Sequence, residues 1–286
     1  MLALLKHILS FLVFENIFIA FCAVAMAQVS LAVFNLPPVQ APTGCFVFFS
    51  TLLVYNLHKS LSLLKSQSPA AVFTLVTSSQ LPLGARLVIY SGIAGAAVSF
   101  CFLVTAQQVL VAALACVTVA YSFPILKINN SRKRIRELFF IKVFVISGVW
   151  SLITVLIPVL GSSFSTASFW LLFFERMLFV FAITIPFEIR DMEQEKKWGN
   201  RTLPVVLGPA KSKTLAYVLV AIFCILALVH YLGLEKAPFM AAAMLFSAAS
   251  AIVVIVQTNE NRSNFFYKLY VDGTMMLQFI FVILFS

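Results

Sequence analysis

Residues 186–204 read Pro-Phe-Glu-Ile-Arg-Asp-Met-Glu-Gln-Glu-Lys-Lys-Trp-Gly-Asn-Arg-Thr-Leu-Pro, and they hold four of the ten acidic residues of the chain: Glu188, Asp191, Glu193 and Glu195. The stretch follows a long apolar run, so it reads as a helix continuing out of a membrane into a loop. On a helix, Asp191 and Glu195 stand at i,i+4 and Glu188 precedes Asp191 by three, which places these three on one face. Like charges so spaced repel, and something must offset them. One candidate is a divalent cation, because magnesium takes one or two carboxylates together with substrate phosphates. The plainer alternative is a solvated helix end neutralised by Arg190, Lys196 and Lys197. The next segment favours the cation, since Gly199 through Pro204 turns the chain beside the acids and adds basic groups to the same loop.

The rest of the chain supplies the setting. It has 286 residues, 62% hydrophobic and only 10% charged, with a mean hydropathy of +1.04. A soluble domain carries about 25% charged residues, so an ordinary soluble enzyme is excluded, and disorder more firmly still. Helices crossing a bilayer need about 20 mostly apolar residues, and continuous apolar runs speak against the alternating strands of a barrel. The runs predict an all-α polytopic membrane protein of nine spans in one integral-membrane domain, 1–286: 8–34, 40–58, 86–105, 107–126, 138–160, 167–187, 213–232, 237–257 and 268–286. With these spans, eighteen of the twenty Lys and Arg fall on one side, Lys236 alone on the other and Arg176 within a span. Basic loops are retained in the cytoplasm, so the expectation is a cell-membrane protein with its N-terminus and its site at the cytoplasmic face.

That asymmetry also accounts for the net charge of +10 without nucleic acid as a partner. The cysteines form no CxxC pair and the three histidines lie far apart, so neither a zinc site nor a disulfide framework is indicated. Lys6, an apolar run and Ala25-Met26-Ala27 resemble a cleavable leader, but Glu15 and Asn16 interrupt the run and more spans follow at once. Among charges inside spans, Glu175 and Arg176 are adjacent, point in different directions and need separate partners, for which Glu15 is a candidate. Asp272 stands about a turn into the last span. Asp272 is read either as lining the mouth of a cavity or as hydrogen-bonding a neighbouring helix, and the structural role is favoured for all three acids.

Arg190-Asp191-x-Glu193-x-Glu195-Lys196-x-x-Gly199-x-Arg201-Thr202-Leu203-Pro204 resembles the second aspartate-rich motif of the UbiA superfamily of intramembrane prenyltransferases. Tyr121-Ser122-Phe123-Pro124 with Lys127, and Lys142 with Trp150, are similar to further patterns of that family. The resemblance implies transfer of an isoprenyl group from a polyprenyl diphosphate to a lipophilic acceptor, often an aromatic ring. It implies magnesium held by Asp191 and Glu195, assisted by Glu188, as the catalytic set. It implies diphosphate binding by Asn56, Lys59, Tyr121, Lys127, Arg134, Lys142, Arg190 and Arg201, with membrane lipids as surroundings.

The first motif of the family departs here. Its N-D-x-x-D-x-x-x-D pattern corresponds to Asn56-Leu57-His58-Lys59-Ser60-Leu61-Ser62-Leu63-Leu64, in which Asn56 matches while the acidic positions hold Leu57, Ser60 and Leu64. No carboxylate occurs between Glu15 and Glu137. One magnesium site is therefore expected, not two. Lys59 is read either as a diphosphate ligand that replaces the charge of a metal, or as a lysine snorkelling at a helix end. The competing functional class is a non-catalytic relative that binds an isoprenoid lipid or a membrane partner. A secondary transporter finds no support in internal repeats.

Overall fold

The computed structural model describes residues 2–63, 81–122, 126–128, 131–133 and 141–285. In chain order the helices are α1 (Leu2–Phe14), α2 (Ile17–Val33), α3 (Ala41–Leu63), α4 (Leu83–Cys101), α5 (Thr105–Ser122), α6 (Ile141–Val159), α7 (Thr166–Lys197), α8 (Leu203–Leu207), α9 (Pro209–Leu234), α10 (Pro238–Gln257) and α11 (Asn264–Phe285). A two-stranded antiparallel hairpin, Leu126–Ile128 with Ser131–Lys133, lies between α5 and α6.

The expected nine spans are not found. Among the described residues six helices are long and apolar enough to cross a membrane: α4, α6, α7, α9, α10 and α11. The count is seven if the bent pair Lys6–Phe14 and Ile17–Val33 makes one span. The run 8–34 is not one straight helix, because the chain bends by 72° between α1 and α2 at Glu15–Asn16, where Asn16 takes a φ of 59°. Asn is one of the few residues that adopts this left-handed conformation readily. The run 40–58 does form a helix, α3, but Thr43, Ser50, Thr51, Asn56, His58 and Lys59 dilute its apolar character. The run 107–126 yields only a shorter apolar helix, Thr105–Tyr121. The cytoplasmic assignment of the N-terminus rested on nine alternating crossings and falls with them.

The chain divides into two compact units. In the first, residues 1–24 and 40–136, α3 lies against α4 at very short range. A Cβ added at Gly92 would stand 3.1–3.2 Å from the backbone and Cβ of Leu53, and one at Gly95 would enter the Phe49 ring at 2.3 Å. Small residues at a crossing let two membrane helices approach this closely. Ala20, Leu52 and Val88 form a buried cluster of this unit, flanked by Ile17, Phe48 and Phe49.

The second unit comprises residues 25–39 and 137–286. Its central helix is α7, 32 residues long, or about 48 Å at 1.5 Å per residue. That exceeds the roughly 30 Å hydrocarbon core, so the acidic turns extend the span rather than forming a separate loop. Ser165 caps its start, and Pro186 is accommodated without ending it. Helices α6 and α9 pack along α7, with Phe179 of α7 facing Phe223 of α9.

Three spans contain a widened π turn: Leu152–Leu156, Val229–Leu234 and Tyr267–Val271. Such turns often carry special side-chain placements. Here the turn in α9 brings the consecutive residues His230 and Tyr231 onto one carboxylate: His230 Nδ1 lies 2.8 Å from Glu175 Oε1, and the Tyr231 hydroxyl donates to Oε2 at 3.2 Å. Arg176 donates from Nη1 to the Met26 carbonyl at 3.0 Å and to Thr154 Oγ1 at 3.5 Å, and from Nη2 to Ser30 Oγ at 3.4 Å. The adjacent pair thus takes separate partners, as expected, but Glu15 is not one of them. Glu235 of the same unit accepts from the Ser168 hydroxyl.

The α3–α4 contact yields a paired test. Gly95→Ala should destabilise the protein by about 1–3 kcal/mol, the usual cost of overpacking. Gly148→Ala, in α6 with nothing within 4 Å of an added Cβ, should cost nothing. Thermal unfolding of both variants in detergent checks this, and equal melting temperatures would remove the close crossing.

Candidate functional site

The acidic stretch closes α7 with a helix stop that its sequence dictates. Gly199 adopts a φ of +73°, a conformation that favours glycine. The Gly199 and Asn200 amides turn back to the carbonyls of Lys196 (3.1 Å) and Glu195 (3.0 Å). Asn200 Nδ2 also donates to Glu195 Oε2 at 2.5 Å, which fixes the last carboxylate of the face. Leu203 and Pro204 then bury themselves as the start of α8.

The repulsion anticipated on this face is offset by two cations of the chain itself. Lys142, in the first turn of α6, places Nζ 2.6 Å from Glu188 Oε1 and 3.3 Å from Glu195 Oε1. The two carboxylates, seven residues apart, thereby converge on one ammonium. Asp191 turns aside: Arg190 chelates it, Nε to Oδ1 at 2.7 Å and Nη2 to Oδ2 at 2.9 Å. The guanidinium also lies 5.1 Å from the Phe187 ring centre and 5.3 Å from that of Tyr267, within cation–π range. Lys196, Lys197 and Arg201 are exposed. The plain reading of a self-neutralised helix end is therefore half right: Arg190 does so, but the second cation comes from another helix.

The residues expected from the first motif lie in the other unit, where they have partners of their own. Asn56 is buried, accepting from Asn16 Nδ2 at 3.1 Å and donating to the carbonyls of Glu15 and Leu52, both at 2.9 Å. Lys59 Nζ pairs with Glu15 at 3.0 and 3.1 Å and donates to the Phe14 carbonyl at 3.0 Å. Together Asn56 and Lys59 hold the α1–α2 break. Tyr121 stands beside His58, ring centres 5.5 Å apart. Lys127 lies in the first hairpin strand, and Arg134, like Leu64, falls outside the described residues. Sequence reasoning missed Glu15 and Asn16 as partners of this motif. The available signal was the acid interrupting an apolar run, since an intramembrane charge requires a partner.

Among the described residues, oxygen donors of the kind magnesium takes converge at one motif. At 188–195 two carboxylates already surround one positive point, which is the chemistry of a hard oxygen site, and Asp191 is a third carboxylate one turn from Glu195. Among the described residues no group of three His, Cys, Asp or Glu is placed to hold a metal ion alone, so phosphate oxygens would have to complete the shell. Among the described residues of its unit, Asn56 has Glu15 with its lysine nearby and no set of acids, which does not fit a second metal.

The model of the UbiA prenyltransferase family matches residues 75–271. No sequence among curated proteins matches the chain. Among solved structures, a UbiA homolog from Archaeoglobus fulgidus bound to GPP and Mg2+ superposes with a TM-score of 0.64 at 15% identity, covering 97% of this chain and 98% of that one. A digeranylgeranylglyceryl phosphate synthase gives 0.59 at 16% identity, covering 99% and 98%. The apo UbiA homolog from Aeropyrum pernix K1 gives 0.62 at 15%, covering 93% and 97%. At these identities the likeness is one of fold.

The clamp at the α1–α2 break can be tested directly. Asn56→Leu removes the buried side-chain hydrogen bonds to Asn16 and to the Glu15 carbonyl and should destabilise the protein by about 1–3 kcal/mol. Thermal unfolding in detergent reads it, and an unchanged melting temperature would dismiss the clamp.

Proposed function

The chain belongs to the UbiA prenyltransferase family, and on that premise we propose that it transfers an isoprenyl group from a prenyl diphosphate to a lipophilic acceptor at the 188–204 end of α7. The observation that carries this reading is the convergence of Glu188, Glu195 and Lys142, with Arg190 and Asp191 beside them. Glu188, Asp191 and Glu195 would hold magnesium, which neutralises charge on the departing diphosphate when bound. Lys142 and Arg190 would supply positive charge for the same oxygens, and such groups stabilise the leaving group most where water is scarce. Arg190 lies against Phe187 and Tyr267, and it would exchange its two-point pairing with Asp191 for the diphosphate as Asp191 turns to the metal. The basic residues around the motif, Lys196, Lys197, Arg201, Lys211 and Lys213, support a cytoplasmic-facing site.

The acid-free first motif favours a second reading, a non-catalytic relative that binds an isoprenoid. Binding and turnover of a labelled prenyl diphosphate separate the two. Wild-type protein should bind it in a magnesium-dependent way and form a labelled lipid in membrane extract. Asp191→Asn and Glu195→Gln should each lower turnover by on the order of 100-fold, the scale seen when one preorganised electrostatic group is removed. Magnesium-dependent binding without any labelled product would favour the non-catalytic relative. Metal-independent binding, unchanged in D191N, would contradict the proposal.

A further inference from the structure

Every carboxylate on the inner face of the motif is already engaged by a cation of the same chain. Lys142 spans Glu188 and Glu195, Arg190 holds both oxygens of Asp191, and Asn200 holds the remaining oxygen of Glu195. Glu188 is almost fully buried, and Lys142 is about one-sixth exposed, so this pair is poorly screened by solvent. A metal ion arriving alone would have to push the ammonium off both carboxylates and hold it next to a dication. A diphosphate arriving alone would compete with two carboxylates for the same ammonium while facing their charge. Arriving together, the two remove each other's penalty.

We propose that Lys142 is a resident placeholder cation that makes metal and diphosphate bind as a coupled pair. In the state seen here it neutralises Glu188 and Glu195. When a diphosphate enters with its metal, Lys142 moves to the phosphate oxygens and the two carboxylates are released to the metal. The exchange breaks one set of ion pairs and forms another, with no net change in protonation. The pairing is specific to the position of Lys142 at the first turn of α6, where its side chain reaches across to α7. It is a positioning and specificity device, because it penalises metal occupancy without substrate. The inference rests on the diphosphate-binding reading of this motif.

The test measures Mn2+ affinity, by electron paramagnetic resonance, on purified full-length protein, wild type and Lys142→Met. Lys142→Gln serves if the Met variant fails to fold. Each is measured with and without a slowly ionising prenyl S-thiolodiphosphate, after correction for Mn2+ bound to the free analogue. Coupling free energies between two sites commonly correspond to about 5- to 150-fold. Lys142→Met should bind Mn2+ alone about 10-fold or more tightly than wild type. The analogue should tighten Mn2+ binding about 10-fold or more in wild type, and about threefold or less in the variant. Equal Mn2+ affinity of wild type and variant in the absence of the analogue overturns the placeholder role. If wild type binds no analogue at any Mn2+ concentration, the diphosphate reading fails instead, and the proposal fails with it.

Discussion

A charged side chain on a membrane helix persists only with a partner, since lipid offers it none. This constraint organises much of what is described. Lys142 answers Glu188 and Glu195, Arg190 answers Asp191, and Lys59 answers Glu15. Glu175 draws His230 and Tyr231 from α9, while Arg176 draws Met26, Ser30 and Thr154. All of these pairings except Arg190–Asp191 tie segments that are distant in sequence, and the irregular backbone sits where the pairings need it. The Asn16 break presents carbonyls to Asn56 and Lys59, and the π turn at 229–234 presents two consecutive residues to one acid. With so few charges in the chain, the buried ones fix contacts between helices at Lys142, Glu175 and Arg176.

The same constraint connects fold to chemistry. A helix end bearing three acids on one face is unstable alone, so it is found with cations at hand. A diphosphate and a divalent metal are a stronger version of the same pairing, with the signs redistributed. The motif at 188–195 therefore has two balanced states, one closed on its own lysine and arginine and one proposed with ligand. The 56–60 region differs: among the described residues its acid partner, Glu15, is engaged in holding a helix break, and its acidic positions carry Leu57 and Ser60.

Local features were legible in the sequence wherever their cause was local. The acidic turns continue the helix, as the i,i+4 spacing indicated, and Gly199 stops it. The family was legible from 190–204, where the spacing of acids, glycine and proline is distinctive. The span count was not, because hydropathy sums over a run while the backbone responds to single residues. Glu15 and Asn16 leave 8–34 apolar on average, yet they bend it by 72°. Long-range pairing was also hidden. Nothing in the sequence says that Lys142 reaches Glu188, 46 positions away, rather than solvent, nor that Lys59 belongs to Glu15. The separate partners of Glu175 and Arg176 followed from helix geometry, but their identities required the π turns, which have no simple sequence signal.

The contact between Lys142 and Glu188 is the one on which the 188–195 motif depends. A double-mutant cycle of Lys142→Met, Glu188→Gln and the combined variant, read by reversible unfolding in detergent without metal, isolates that interaction. A coupling energy of about 1–3 kcal/mol is expected for a buried pair in contact. Additive single-variant effects, within about 0.5 kcal/mol, would show that the two side chains do not meet and would contradict the account.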